Sequence, residues 1–487
     1  MKLKSVKKNY VYNLIYQITL IIIPLIITPY ASRKLLPEGI GRYSFSFSLI
    51  TYFTLFASFG FENYAQREIA KCQNKIEKQS KVFWEIFFGR LFTVSFSLIL
   101  HGVLLSTGIY GANRQLMLIL SINVISIGVD VAYFFQGNEE FDKLVIKSIV
   151  VRVVGALSIF LFVKNSNDLW VYALIQSLII LLSNAFMWTS LFKRLKKIKW
   201  RSLRPFKHVK GALCLFIPSL AISLYTVLDK TLIGVITQSN VQNGYYEQTE
   251  KIIKLSMTLI TCLGTVMIPR NSKEIAEGNF DKVKDNVYKA SNFMWLLATP
   301  LVLGFVLIAD NLIPWFLGVH FIESSLLLKV FAPLVLIIGF SNILGLQYLV
   351  PCKKEKQYTI SILIGAGTNI LLNIILIYYL GALGAAISTI VAEFAVTISM
   401  CLFLRKELSI NKIIKTSIKP VIAGVVMFLA TYPLTLWLTP GVLNSIIITA
   451  VAIVSYAVVL LIVKEKMFYG LLKKFTRIMK ANKKSPD

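Results

Sequence analysis

WVYALIQSLIILLSNAFMWTSLF, Trp170–Phe192, runs 23 residues without a charge, and KRLKKIKWRSLRPFKHVK, Lys193–Lys210, follows it with nine lysines and arginines. A helix rises about 1.5 Å per residue, so ~20 apolar residues cross a ~30 Å hydrocarbon layer. The first stretch is long enough to span a bilayer. The second is a basic loop of the kind kept on the cytosolic face. Working outward, about fourteen such apolar stretches can be marked, from 10–31 to 443–463, joined by short loops. A membrane β-barrel would show short alternating segments instead, and these runs are continuous. The fold class is an all-α polytopic membrane protein with about 14 transmembrane helices.

The composition agrees. Of 487 residues, 56% are in the AVILMFWYC set and 16% are charged. Mean hydropathy is +0.68. Soluble domains carry roughly 25% charge, so a soluble globular chain is excluded, and so is a disordered one. The net charge of +28 would point to nucleic acid in a soluble protein. Here it has a topological reading. With the N-terminus inside, roughly forty of the 52 basic residues fall in cytosolic segments and five in outer ones. Both termini are expected on the cytosolic side, in the cytoplasmic (cell) membrane, with no nucleic-acid partner. Cys72, Cys214, Cys262, Cys352 and Cys401 have no metal-like spacing and are expected as free thiols. Tyr10–Tyr30 is too long for a signal-peptide core and reads as the first span.

The basic loop sits in the middle of the first twelve spans. It divides the chain into an N-lobe at 1–210 and a C-lobe at 211–406, with two further spans and a basic tail at 407–487. Two pseudo-symmetric six-helix lobes are supported by a weak repeat. Gly41-Arg42-Tyr43 and Gly244-Tyr245-Tyr246 lie 203 residues apart, and the same offset carries Arg67 onto Arg270. Gln136 matches Gln347 at an offset of 211. Two lobes with a substrate path between them is a transporter architecture. The loop itself reads either as a headgroup or partner site or as a linker lying on the anionic leaflet.

Charges inside spans cost at least ~2.5 kcal/mol each near the bilayer centre, so they face water or one another. Arg90, Asp130 and Arg152, on spans three, four and five, lie at one depth, roughly 10 Å from the cytosolic end. They read either as a structural Asp–Arg pair or as an anion site. Glu247, Glu250, Lys251 and Lys254 recur at i, i+3, i+4, i+7, one helical face. Such a stripe calls for a hydrated cavity, with Asp229, Lys230 and Glu393 as candidates for the facing wall and Lys254–Glu393 as a candidate pair. Arg33 and Lys34 are joined by Arg42 across a short loop at the outer end of span one. They read either as cavity residues or as interfacial side chains. Pro24, Pro29, Pro218, Pro300, Pro333 and Pro433 lie inside spans and predict kinks.

Several chemistries are missing. There is no G-x-x-x-x-G-K-[ST] phosphate loop, no metal-like cluster, and no nucleophile motif with a partner base. His101, His208 and His320 are scattered. The chain is therefore expected to be a transporter rather than an enzyme, with no cofactor or metal. One-way transport would draw on H+ or Na+, through Asp130, Asp229, Glu247, Glu250 or Glu393. Glu393 ranks first for its mid-helix depth.

FFQGNEEF at Phe134–Phe141, preceded by Asp130, resembles the W-F-F-Q-G-x-E-x-F segment of Wzx-type polysaccharide flippases. These belong to the multidrug/oligosaccharidyl-lipid/polysaccharide exporter superfamily. LDKTLIG at Leu228–Gly234 and NGYYEQTEKI at Asn243–Ile252 resemble the family's D-K-x-x-L-G … G-Y-Y-x-x-x-x-K-I stretch. TPYASRKLLPEGIGRY at Thr28–Tyr43 resembles its first loop, and Arg67-Glu68-Ile69-Ala70 the end of its span two. Pro269-Arg270 and GALGAAIST at Gly381–Thr389 fit later parts. A departure is Ala132-Tyr133, where the family usually has a Trp. The resemblance implies a V-shaped pair of lobes moving undecaprenyl-pyrophosphate-linked oligosaccharide from the inner to the outer leaflet. It makes membrane lipids, a polymerase and other polysaccharide-assembly proteins the expected partners. Gln136, Gly137, Arg67 and Arg270 become motif residues. The substrate-binding candidates are Arg33, Lys34, Arg90, Arg152, Lys230, Lys251 and Lys254. The rival readings are a drug/cation antiporter of the same superfamily and a membrane polysaccharide polymerase or ligase. The first would have a more acidic cavity. The second would need a long outer loop or a catalytic constellation.

Overall fold

A computed structural model describes residues 6–72, 75–138, 140–470 and 472–473. The side chains of 6–18, 20, 141–146, 217–219, 221–222, 224–225, 262–263, 265–266 and 269 lie outside the description. Pro218, Cys262 and Pro269, and Glu139 and Phe141 of FFQGNEEF, therefore stay as sequence expectations. Among the described residues all regular structure is helical.

The chain forms two compact units, residues 1–244 and 245–487. The first contains α1 (Val6–Ser58), α2 (Phe61–Lys71), α3 (Ile76–Ser106), α4 (Arg114–Val129), α5 (Ala132–Gly137), α6 (Phe141–Phe162), α7 (Leu169–Leu191), α8 (Val209–Thr237) and the start of α9 (Asn240–Ala276). The second contains the rest of α9, α10 (Phe280–Phe316), α11 (Ser324–Phe331), α12 (Leu334–Leu344), α13 (Glu355–Leu380), α14 (Ala382–Leu404), α15 (Ile410–Trp437) and α16 (Val442–Ile462). The basic loop and the limit of compactness are different boundaries: α8, beyond the loop, packs on α1 and α2.

The fourteen apolar stretches lie in helix, with short breaks. Ten candidate spans among the described residues are long and apolar enough to cross a membrane. Large apolar side chains such as Phe96, Leu161, Leu371 and Ile453 are exposed. That is unsuited to water and suited to lipid.

Spans one and two need no loop between them. They are two helices of α1 that meet directly at Leu36, whose φ of 59° is non-helical and which precedes Pro37. Gly60 then turns the chain into α2 at φ 72°. A Cβ there would meet the Ala212 carbonyl at 2.4 Å, so only glycine allows both the turn and the approach of α8.

Helix ends and prolines leave carbonyls without helical partners. Pro300 has no N–H to give to the carbonyl of Leu296, four residues earlier. The buried hydroxyl of Tyr456, on α16, donates to that carbonyl at 2.9 Å. Tyr456 also joins Leu296, Ala423, Met427, Ala452 and Leu460 in one apolar cluster. The C-terminal pair α15 and α16 is thereby tied to α10. In the first unit, the Tyr30 hydroxyl donates to Val163 O at 2.7 Å, beyond the last turn of α6. Cys72, Cys214, Cys352 and Cys401 are free thiols.

Candidate functional site

Asp130 ends α4 in an extended conformation. Its Oδ1 accepts from the Ala132 N–H at 2.8 Å, which starts α5. Its main-chain carbonyl accepts from Arg90 Nη1 at 2.7 Å, and its Oδ2 lies 3.5 Å from Nη2. Two contacts from α7 also close the end of α4: Trp188 Nε1 donates to Val129 O at 2.7 Å, and Asn184 to Ser126 O at 3.1 Å. The Arg90 side chain is 1% exposed. Its guanidinium lies 5.5 Å from the centre of the buried Tyr133 ring. Tyr133 packs on Phe83 in an aromatic core with Phe134 and Phe135. The residue that departs from the family's usual Trp is thus a core ring beside Arg90.

The partner of Asp130 is Arg90, and the Asp130–Arg152 alternative is not formed. Arg152 is half-buried on α6 and directs Nε to Ser148 Oγ at 3.4 Å, one turn earlier. Arg90 and Arg152 lie at one depth by residue count, but helix rotation gives only one of them to Asp130.

The motif around Gln136 and Gly137 is a packing knot. A Cβ on Gly137 would sit 2.8 Å from the Gln66 carbonyl, so α5 can touch α2 only at glycine. Gln79 Nε2 donates to Asn138 Oδ1 at 2.9 Å and to Ile69 O at 3.3 Å. Gln136 is half-buried. Arg67 is exposed, 5.9 Å from the Tyr64 ring.

Near the break in α1, Arg33 is exposed and Lys34 lies 5.9 Å from the Tyr30 ring. Arg42 donates to Asn113 Oδ1 at 2.7 Å and also to the Ala112 carbonyl. Asp229 on α8 is buried and within electrostatic reach of Tyr52. Thr231 bridges the Tyr52 hydroxyl, 2.9 Å away, and Ser48 at 3.0 Å. Lys230 is half-buried, and its carbonyl accepts from Asn243 at 2.7 Å.

In the second unit, the charged stripe on α9 is the less buried side of its helix. Tyr246, Thr249 and Ile253 are buried, whereas Glu247, Glu250 and Lys251 are half-buried and Lys254 is exposed. Lys254 Nζ pairs with Glu250 at 2.7 Å. The expected Lys254–Glu393 pair is not formed, because the carboxylate one turn earlier is within easier reach. Glu393, half-buried on α14, lies within electrostatic reach of Tyr358 on α13. Arg270 is exposed.

Two features escaped the sequence. One is an apolar cavity of about 640 Å³ among α9, α10, α15 and α16, lined by Leu259, Phe293, Pro300, Phe305, Met427 and Tyr456 among others. Apolar helices give no signal of where they leave a gap. The other is a buried chain in which Glu85 Oε2 pairs with His208 Nε2 at 3.0 Å, and His208 Nδ1 meets the Tyr64 hydroxyl at 2.9 Å. His208 stands alone in sequence, and its partners lie more than 100 residues away. Among the described residues, no group of three or more His, Cys, Asp and Glu could hold a metal.

Comparison with known proteins follows from this geometry. The family described as "Polysaccharide biosynthesis protein" matches residues 6–274. A putative O-antigen transporter of Escherichia coli K12 is 26% identical, over 83% of this chain and 97% of that protein. A probable low-salt glycan biosynthesis flippase, Agl15, of Haloferax volcanii is 24% identical, over 54% of this chain and 55% of its own length. Among solved structures, the inward closed conformation of the lipid II flippase MurJ superposes with a TM-score of 0.76 at 16% identity, covering 95% of this chain and 99% of that one. That last likeness is one of fold.

Proposed function

The chain belongs to the polysaccharide biosynthesis protein family, and from that premise we propose that it flips lipid-linked oligosaccharide units across the membrane for export of a cell-surface polysaccharide. The cargo in this reading is an oligosaccharide on undecaprenyl pyrophosphate, carried from the inner to the outer leaflet. The observation that carries the reading is the near full-length similarity to the O-antigen transporter.

The physical problem is the headgroup. Each sugar hydroxyl costs a few kcal/mol to bring into hydrocarbon without a partner. A hydrated path lined by polar groups removes most of that cost, while the prenyl tail stays in an apolar phase. The cavity beside α15 and α16, with its almost wholly apolar lining, suits the tail and not the headgroup. Pyrophosphate is a dianion or more, and arginine and lysine are its natural partners. We assign Arg33, Lys34, Arg152, Lys230, Lys251 and Lys254 to headgroup contacts. Arg90, spent on Asp130, holds the α3–α4 frame. Asp229, Glu247, Glu250 and Glu393 are the candidates for H+ or Na+ coupling. Movement is by alternating access. The chain works as a transporter in the cytoplasmic membrane with both termini cytosolic, beside a polymerase that consumes the flipped lipid.

The test uses purified chain in liposomes and a fluorescent undecaprenyl-pyrophosphate oligosaccharide. Protein-dependent loss of inner-leaflet label, measured by a membrane-impermeant quencher, is the expected result. Uptake of a cationic dye with no movement of the lipid would favour the antiporter instead.

A further inference from the structure

The loop between α7 and α8 is held more firmly than a tether needs to be. Arg194 pairs with Glu140, whose side chain is 7% exposed. The Lys196 N–H donates to Ser80 Oγ at 3.0 Å, and the Arg204 N–H to Glu85 Oε1 at 3.1 Å. His208 closes the segment against the other oxygen of Glu85 and the Tyr64 hydroxyl. Trp200 lies edge-on to Trp84, with ring centres 5.1 Å apart, and also meets Phe88. All of these partners are on α2, α3 or the segment entering α6, so the loop lies along one end of the first unit.

What the loop keeps outward is equally consistent. Lys193, Lys197, Lys199, Arg201, Lys207 and Lys210 are exposed, and no ion pair engages them among the described residues. The nearby carboxylates of Glu85 and Glu140 are buried in the pins, and Glu77 is taken by Lys196 at 3.6 Å. Phe192, Trp200 and Phe206 stand between these cations and are 62%, 58% and 66% exposed. A polar chain exposed to water alone would not hold three aromatic rings outward in a fixed frame.

We propose that this loop is a docking surface for anionic phospholipid headgroups. The loop joins two spans directly, so the nearest phase is the bilayer surface. Cations interleaved with amphipathic rings match a layer whose upper part is phosphate and whose lower part is ester and hydrocarbon. An acidic partner protein would satisfy the cations and leave the rings without a hydrocarbon phase. Its test does not depend on transport.

The test places the full chain in nanodiscs of phosphatidylglycerol and phosphatidylcholine. In one set phosphatidylglycerol carries a brominated acyl chain; in the other, the same amount of phosphatidylcholine does. The difference in tryptophan fluorescence between wild type and Trp200→Phe isolates Trp200. Brominated phosphatidylglycerol should quench it at least about threefold more, with the preference falling as salt rises. The triple variant Lys197→Gln, Lys199→Gln, Arg201→Gln should elute like wild type and lose the preference. Equal quenching by the two lipids in wild type overturns the proposal, as does a preference unchanged in the triple variant. These exposed side chains make no folding contact, so a folding defect does not obscure the result.

Discussion

At the scale of single residues, Asp130 uses three oxygens, two of them toward Arg90, so the contact is more than a pair of charges. Arg90 reaches a carboxylate oxygen and a main-chain carbonyl, and the other carboxylate oxygen starts α5. Exchanging the residues (Arg90→Asp with Asp130→Arg) should therefore rescue nothing, since the arginine's carbonyl contact and the aspartate's cap both depend on position. Arg90→Ala alone should cost about 3–5 kcal/mol, because it strands a mostly buried carboxylate. Unfolding in detergent measures both. A double exchange as stable as wild type would mean that only the pair of charges matters. Glu393 raises a different question. It is half-buried, Lys254 pairs with Glu250 instead, and its proposed part in ion coupling is open to a direct test. Glu393→Gln keeps the shape and removes the titratable group. Flipping in vesicles should lose its response to an imposed pH or sodium gradient while the lipid-linked substrate still binds. Normal gradient sensitivity in that variant would move the coupling site elsewhere.

At the scale of elements, each helix is legible from apolar content, but its attachments are not. α16 is almost wholly apolar, and nothing in its sequence marks Tyr456 as different from a lipid-facing tyrosine. The structure uses it to satisfy the carbonyl that Pro300 orphans on α10. Tyr456→Phe should thus destabilise the chain by about 1–3 kcal/mol, the cost of leaving a buried carbonyl unpaired. Tyr432→Phe, at a ring 47% exposed on α15, should change stability by no more than about 0.5 kcal/mol. Equal melting temperatures for the two variants would remove Tyr456 from this role. The same logic runs through α4. Its broken end, which counts of hydropathy read as ordinary span, is closed by Arg90, Asn184 and Trp188 from two other helices.

At the scale of the whole molecule, the governing feature is the distribution of lysine and arginine along the chain. With the N-terminus inside, as the sequence leads one to expect, roughly forty basic residues would lie on one side against five on the other, far outside a random division. Cysteines placed in a cysteine-free chain test it. Ala112→Cys and Asn167→Cys should react with a membrane-impermeant thiol reagent on intact cells. Ser202→Cys, in the basic loop, should react only after permeabilisation. The reverse pattern would invert the topology, and with it the direction assigned to transport.

The polytopic all-helical class was settled by sequence, because apolar length and the need to satisfy every backbone group inside the bilayer are properties of the chain read in one dimension. The ordered motifs from Thr28 to Thr389 likewise pointed to the right family, since their spacing survives where overall identity is low. The pairings required the tertiary structure. Arg90 rather than Arg152 holds Asp130, Glu250 rather than Glu393 holds Lys254, and Glu85 with Tyr64 holds His208. Each choice depends on the rotation and crossing of packed helices. A continuous apolar run has almost no periodicity from which that rotation could be read, so the partners become visible only when the helices are assembled.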